Sequence, residues 1–224
     1  MHLKFFLKKD EVLRYLGYKG QAISQEINKT IDFYMSRITS LCNPKFFHII
    51  SDTEICENSV ILSGTNLVLE GLDIKNHLIG SKKCITLAAT LGSEFDRELL
   101  KLQTRSMTDA VIFDACGTAF IESFADNCED EILSPLKDAG YHSNFRFSPG
   151  YGDLPLTLQK DIVNCLQLQK MIGLTVTDSG LLLPQKSITA FIGLFDKPQE
   201  KLRSKCENCK NKDTCKMRKD EKCL

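Results

Sequence analysis

Arg146-Phe147-Ser148-Pro149-Gly150-Tyr151-Gly152-Asp153-Leu154-Pro155 lies between a long run of small and apolar residues and a second helix-like segment followed by strand-like runs. Two prolines with fixed φ bracket two glycines that accept positive φ, so the backbone here makes a defined, irregular loop. Such a loop can turn its own N–H and C=O groups outward to a ligand, although the same composition also serves ordinary turns. Arg146 brings a planar fork of N–H donors suited to a carboxylate or phosphate, and Tyr151 brings a ring with a polar tip.

After the loop, Thr157 is placed to cap a helix carrying Leu158, Ile162, Val163, Cys165, Leu166 and Ile172 as far as Gly173. Leu174 to Leu183 reads as a strand, Pro184-Gln185-Lys186 as a turn, and Ser187 to Phe195 as a second strand. In that strand Ile188, Ala190, Ile192 and Leu194 alternate with Thr189, Phe191 and Gly193, which assigns one face to the core.

Before the loop, a helix is predicted from about Met107 to Leu136, ending near Pro135 and Gly140. Its Ala110, Ala115, Cys116, Gly117 and Ala119 would let another element approach closely. Gly92-Ser93 opens a helix over Glu94 to Leu102, and uncharged Cys84 to Leu91 reads as a buried strand. Leu72 to Ile79 gives a turn or two of helix. Lys45 to Ser51, Glu54 to Ser63 and Asn66 to Glu70 are β-rich runs separated by Ser-Asp-Thr and Ser-Gly-Thr. Nearest the N-terminus, Ser24 can cap a helix with Ile27, Ile31, Tyr34, Ile38 and Leu41 on one stripe, and Asp10 a short helix ending at Gly17. Helices and strands in mixed order, without regular βα alternation, predict an α+β fold. A mainly antiparallel twisted sheet would be packed with helices.

The 224 residues suffice for one full core with an appendage, divided here at 1–197 and 198–224. Lys+Arg and Asp+Glu both number 29, so nothing in the net charge points to nucleic acid or an anionic membrane. The N-terminal apolar run, Phe5 to Leu7, is too short for a signal-peptide core, and no stretch is long enough to span a bilayer. A cytoplasmic protein is expected, with its ten cysteines held as thiols or metal ligands.

Past Pro198 the composition changes to Cys206-x2-Cys209-x5-Cys215-x7-Cys223 amid Lys and Arg. Too few hydrophobes accompany these thiols to form a core, so a metal is expected to crosslink them. Zinc would fold the tail; an iron–sulfur cluster would use the same ligands and also carry electrons. The spacing leaves both open. Cys42, Cys56, Cys84, Cys116, Cys128 and Cys165 lie in apolar stretches and read as core residues.

The 146–155 motif, then Gln159-Lys160, the helix ending at Gly173 and Pro184-x-Lys186-Ser187-Ile188-Thr189-Ala190, resembles the activation domain of cobalamin-dependent methionine synthase, which binds S-adenosylmethionine (SAM) in the large enzyme. The resemblance is densest over 146–194. It extends to Thr90-Leu91-Gly92 and to Asp114-Ala115-Cys116-Gly117 through Glu122, and it is loose over 1–80. The tail has no counterpart in that domain but is similar to those of stand-alone activation proteins, at Cys206, Cys209 and Cys215.

The resemblance implies a SAM site in which Arg146 pairs with the ligand carboxylate and the Ser148-Pro149-Gly150 backbone meets ribose or adenine. Tyr151 would lie over the sulfonium or a corrin face, with Glu122 beside the ligand. It also implies an activation subunit of a cobalamin-dependent methyltransferase in methionine biosynthesis, reductively methylating cob(II)alamin. The corrinoid would come on a partner chain, methionine synthase or another corrinoid protein, because Lys75-x-His77-x-x-Gly80 has Lys75 where the corrinoid signature has Asp. An electron-donor protein would be a second partner, unless an iron–sulfur cluster in the tail relays the electron. The competing expectation is a non-catalytic module that senses SAM or binds a corrinoid protein, with a structural zinc tail.

Overall fold

The computed structural model describes residues 7–199. In chain order these form α1 (Lys9–Tyr15), α2 (Gln25–Leu41), β1 (Lys45–Ile55), β2 (Ser59–Leu62), β3 (Val68–Glu70), α3 (Leu72–Leu78), β4 (Lys83–Thr90), α4 (Ser93–Arg105) and α5 (Met107–Asp138). There follow β5 (His142–Ser143), α6 (Leu158–Cys165), α7 (Leu168–Ile172), β6 (Thr175–Val176), β7 (Leu182–Leu183) and β8 (Ser187–Phe195). The fold is α+β, as expected: six strands in the order β3-β2-β1-β4-β8-β5, every pairing antiparallel, with a separate β6–β7 ribbon.

The uncharged run in β4 decides the architecture. Every residue from Cys84 to Thr90 is buried, so both faces of this strand must be covered. Ile85, Leu87 and Ala89 face one core, built with α1, α2, α4 and α5 and with Ile192 and Leu194 of β8. Cys84 and Ala88 face a second core, with Phe191, Phe147 and residues of α3, α6 and α7. The alternation in β8 therefore sorts residues between two buried layers rather than between core and solvent. Phe95 and Phe113 stack 4.8 Å apart in the first layer, each fully buried, and burying such a side chain contributes about 1.5–3 kcal/mol.

Local signals hold at several ends. Ser24 Oγ accepts the Ile27 N–H at 3.2 Å, capping α2, and Ser106 Oγ accepts the Asp109 N–H at 3.3 Å, capping α5. The end of α5 falls at Asp138, between Pro135 and Gly140, and the turn before Pro135 carries buried Ile132 and Leu133 onto the core.

Elsewhere tertiary pairing overrides local punctuation. The expected break at Ser51-Asp52-Thr53 is absent, because β1 runs through it while exchanging partners: Lys45 to Asp52 pair with β4 and Thr53 to Ile55 with β2. The segment Leu174–Leu183 is two short strands about a Thr177–Gly180 turn, not one strand. The helix predicted up to Gly173 is broken at Gln167, which sits at φ 50°, and Thr157 makes no side-chain cap.

Among the described residues no helix is long and apolar enough to cross a membrane. The tail ligands Cys206, Cys209, Cys215 and Cys223 lie outside the described residues.

Candidate functional site

The 146–155 loop begins as an extension of the sheet. Phe147 exchanges both backbone hydrogen bonds with Phe191 of β8, at 2.9 and 2.8 Å. One step earlier, Asn144 donates to the His77 carbonyl and accepts the Gly193 N–H, each at 2.7 Å, clamping this edge to α3 and β8 together. Beyond Phe147 the chain leaves the sheet in a self-bonded turn. Tyr151 N–H donates to the Ser148 carbonyl, Leu154 N–H to Tyr151, and Gly150 N–H to Leu154, at 2.8–3.0 Å. Pro149 and Leu154 are buried and hold the loop down, Ser148 is half-buried, and Gly150, Tyr151 and Gly152 are exposed.

The far end of the loop is tied to α3. Asp153 accepts the Leu72 and Asp73 N–H groups at 2.7 and 3.0 Å, and Asp73 in turn accepts the Asp153 N–H at 3.1 Å. The first N–H groups of a helix have no internal partner, and the Asp153 carboxylate supplies one. A Cβ on Gly71 would crowd Asp153, and one on Gly152 would overlap Asp73. Those two glycines permit the approach.

Successive residues of an extended chain point to opposite faces, and here that separates the predicted site residues. Phe147 points into the α3/α6 layer, where its ring lies 4.9 Å from His77 and 5.7 Å from Tyr151. Arg146 points the other way, onto α5, and is only 4% exposed. Its Nη1 donates to Glu129 at 2.7 Å and its Nη2 to Asp126 at 2.7 Å and Glu122 at 3.3 Å. Burial alone would lower the Arg146 pKa; Asp126, Glu129 and Glu122 outweigh it, so the guanidinium pKa is raised and the charge is held. The fork expected to receive a ligand carboxylate is thus occupied by three from the protein, with Glu122 44% and Asp126 65% exposed at their side chains.

A second constellation gathers Lys186, Asp114, Gly117 and Thr90 of the other sequence motifs. Lys186, in the turn before β8, places Nζ 2.9 Å from Asp114 and 2.8 Å from the Thr118 hydroxyl, and 5.5 Å from the centre of the Phe95 ring. A Cβ on Gly117 would overlap Phe95 and crowd the Lys186 stem. Thr90 and Ser187 bond through their hydroxyls at 2.7 Å. Alongside runs a groove of about 450 Å³ between α1, α4 and α5, with Tyr15, Gln103, Asp114, Thr118 and Gln185 among its lining residues. Burial and then the charge of Glu122 raise the Tyr15 pKa, which keeps its hydroxyl protonated.

The structure therefore joins Glu122 to Arg146 and Tyr151 to Phe147, on different layers. Asp126, Glu129 and Asp73 had no part in the sequence reading, although Glu122, Asp126 and Glu129 recur at four- and three-residue steps, the spacing of one helix face. His77, in the fragment compared with a corrinoid signature, is 5% exposed and packed between Phe145 and Phe147. Burial pushes its pKa down to about 4, against hydrogen bonds to the Phe145 and Phe191 backbone. Cys42, Cys84, Cys116 and Cys128 are buried with thiol pKa pushed up to about 12, which suits core residues. Among the described residues no cluster of three or more His, Cys, Asp or Glu is arranged to hold a metal ion.

No protein-family model and no curated protein matches the sequence. Among solved structures, the chain is similar to the crystal structure of the MetH reactivation domain bound to AdoHcy. The TM-score is 0.61 at 16% identity, over 80% of this chain and 67% of that one. At that identity the likeness establishes a shared fold.

Proposed function

We propose that this chain binds SAM across the sheet edge at residues 146–152, with the acidic side of α5 on one layer and the exposed Gly150-Tyr151-Gly152 segment on the other, and reactivates a corrinoid protein. The reading is carried by one observation: an exposed Gly150-Tyr151-Gly152 segment, anchored at both ends, in a fold shared with a domain whose crystal structure holds AdoHcy. AdoHcy is the product that SAM leaves on giving up its methyl group.

Arg146 takes a different part from the carboxylate clamp first expected. With its terminal nitrogens engaged, it holds Glu122, Asp126 and Glu129 together as a patch with more negative than positive charge. Such a patch favours the sulfonium and ammonium groups of SAM, and a ligand carboxylate would have to displace Asp126 to reach the guanidinium. With the Ser148 carbonyl and the Gly150 N–H engaged inside the loop, the Ser148 N–H and the Pro149 and Gly150 carbonyls would take ribose or adenine edges, and the Tyr151 ring, 46% exposed, would cover the ligand or face the partner.

The reaction is one-electron reduction of cob(II)alamin on a separate corrinoid protein to cob(I)alamin, whose cobalt then takes the methyl group from the SAM sulfur and releases AdoHcy. No general acid or base is needed; the protein positions the two reactants. The 198–224 segment would hold an iron–sulfur cluster or zinc on Cys206, Cys209, Cys215 and Cys223; the electron would come from an electron-donor protein, relayed by the cluster if iron–sulfur is present.

Calorimetric titration of the anaerobically purified chain with SAM tests the reading, with Glu122→Gln and Asp126→Asn beside it. Saturable binding weakened in both variants supports it, and no binding to the wild type overturns it. Methyl transfer to a corrinoid protein, with iron and zinc analysis of the same sample, separates a reactivating subunit from a non-catalytic SAM-binding module.

A further inference from the structure

We propose that Asp73 and Asp153 form a reciprocal latch that positions the Gly150-Tyr151-Gly152 segment for its ligand, making both aspartates positioning residues although neither need touch SAM. This rests on the SAM-binding reading of the same loop. The two residues are 80 positions apart in sequence, and each accepts a backbone N–H from the other's segment. Asp153 uses both carboxylate oxygens, one on Leu72 and one on Asp73, whereas among the described residues Asp73 accepts through Oδ2 alone.

The loop needs such a device. On its near side, the Phe147–Phe191 bridge ends its contact with the sheet. From Ser148 to Leu154 the loop is closed by short-range bonds of its own, which set its shape but not its direction. Its further fixed points are the buried Pro149 and Leu154, the packing of the Tyr151 ring on Phe147, and the Asp153 carboxylate on α3. Gly152, the residue between Tyr151 and the latch, sits at φ 55° where a Cβ would overlap Asp73. Tyr151, whose ring packs on Phe147, is thus followed directly by the residue that meets α3.

The unequal use of oxygens makes the latch testable. An Asn side chain keeps one oxygen acceptor, so Asp73→Asn can replace its single bond in full, while Asp153→Asn can keep only one of two. SAM affinity is measured on the full chain for the wild type, Asp73→Ala, Asp73→Asn, Asp153→Ala and Asp153→Asn, with amide hydrogen exchange on the same proteins. Each Ala variant is expected to weaken SAM binding about tenfold, in line with the loss of one or two capping bonds. Asp73→Asn should bind as the wild type does, and Asp153→Asn should fall between. Exchange should quicken at residues 150–153 and at Leu72 and Asp73 in the Ala variants, with β4 and β8 unchanged. Gly152→Ala should weaken binding more in the wild type than in Asp73→Ala, where the overlapping carboxylate is gone.

Affinity in Asp153→Ala within about twofold of the wild type overturns the latch, as does quickened exchange spread evenly over the sheet, since a merely structural role gives no local signature. If the wild-type chain binds no SAM, the functional reading falls. The latch is then judged by exchange alone: local quickening in Asp73→Ala that Asp73→Asn restores upholds it, and the absence of that pattern ends it.

Discussion

Lys186 Nζ lies 2.9 Å from Asp114 Oδ1, joining the turn before the last strand to the N-terminal third of the longest helix. The ammonium is 14% exposed at its side chain, and Thr118 and the Phe95 ring complete its surroundings. The resemblance singles out Lys186, Asp114 and Gly117, and in the folded chain they serve one joint between β8 and α5.

Removing that joint should cost stability. Lys186→Ala leaves Asp114 and Thr118 without their shared donor, and about 1–3 kcal/mol should be lost. Gly117→Ala overpacks the same place, since the new methyl must displace the Phe95 ring, with a similar cost of about 1–3 kcal/mol. Urea midpoints of both variants and of Lys186→Ala/Gly117→Ala check this, and because the residues touch, the double variant should depart from the sum of the two.

Arg146→Ala should cost about 1–3 kcal/mol, because it removes a buried cation and leaves three part-exposed carboxylates facing one another. Two signs distinguish repulsion from lost packing. High salt should recover part of the loss, and Asp126→Asn should destabilise the wild type yet relieve the Arg146→Ala variant. Denaturation at low and high ionic strength measures both.

Acid should weaken the fold through His77. Its folded pKa is about 4, below the ordinary 6.5, so between those values the unfolded chain binds the proton and the folded chain does not. Stability should therefore fall as pH drops from about 6.5 to 4, by on the order of 3 kcal/mol from this residue. Burial lowers the His48 pKa also and adds in the same sense. In His77→Gln the slope over that range should flatten to what His48 and the carboxylates leave, as read from denaturant midpoints across pH 4–7.

Several features were legible from residues alone because their causes act within a turn or a strand. Ser24 caps α2 through a bond three residues away, and the uncharged Cys84–Thr90 run can only be a doubly covered strand. The stripe from Ile31 to Ile38 buries as its spacing requires. The loop at 148–154 is irregular and self-bonded, as two prolines and two glycines dictate.

What the sequence by itself determined is the inventory: an α+β chain of antiparallel strands and helices, with an irregular loop between the longest helix and the last strands. Local φ preferences, apolar periodicity and capping suffice for that. Tertiary structure alone decided what the charged and polar groups meet. Arg146 lies 17 to 24 positions from its three carboxylates, and Asp153 lies 80 from Asp73. A guanidinium or carboxylate binds whichever opposite group the packing of helix on sheet brings within about 3 Å, and that choice depends on distances through space that no local pattern encodes.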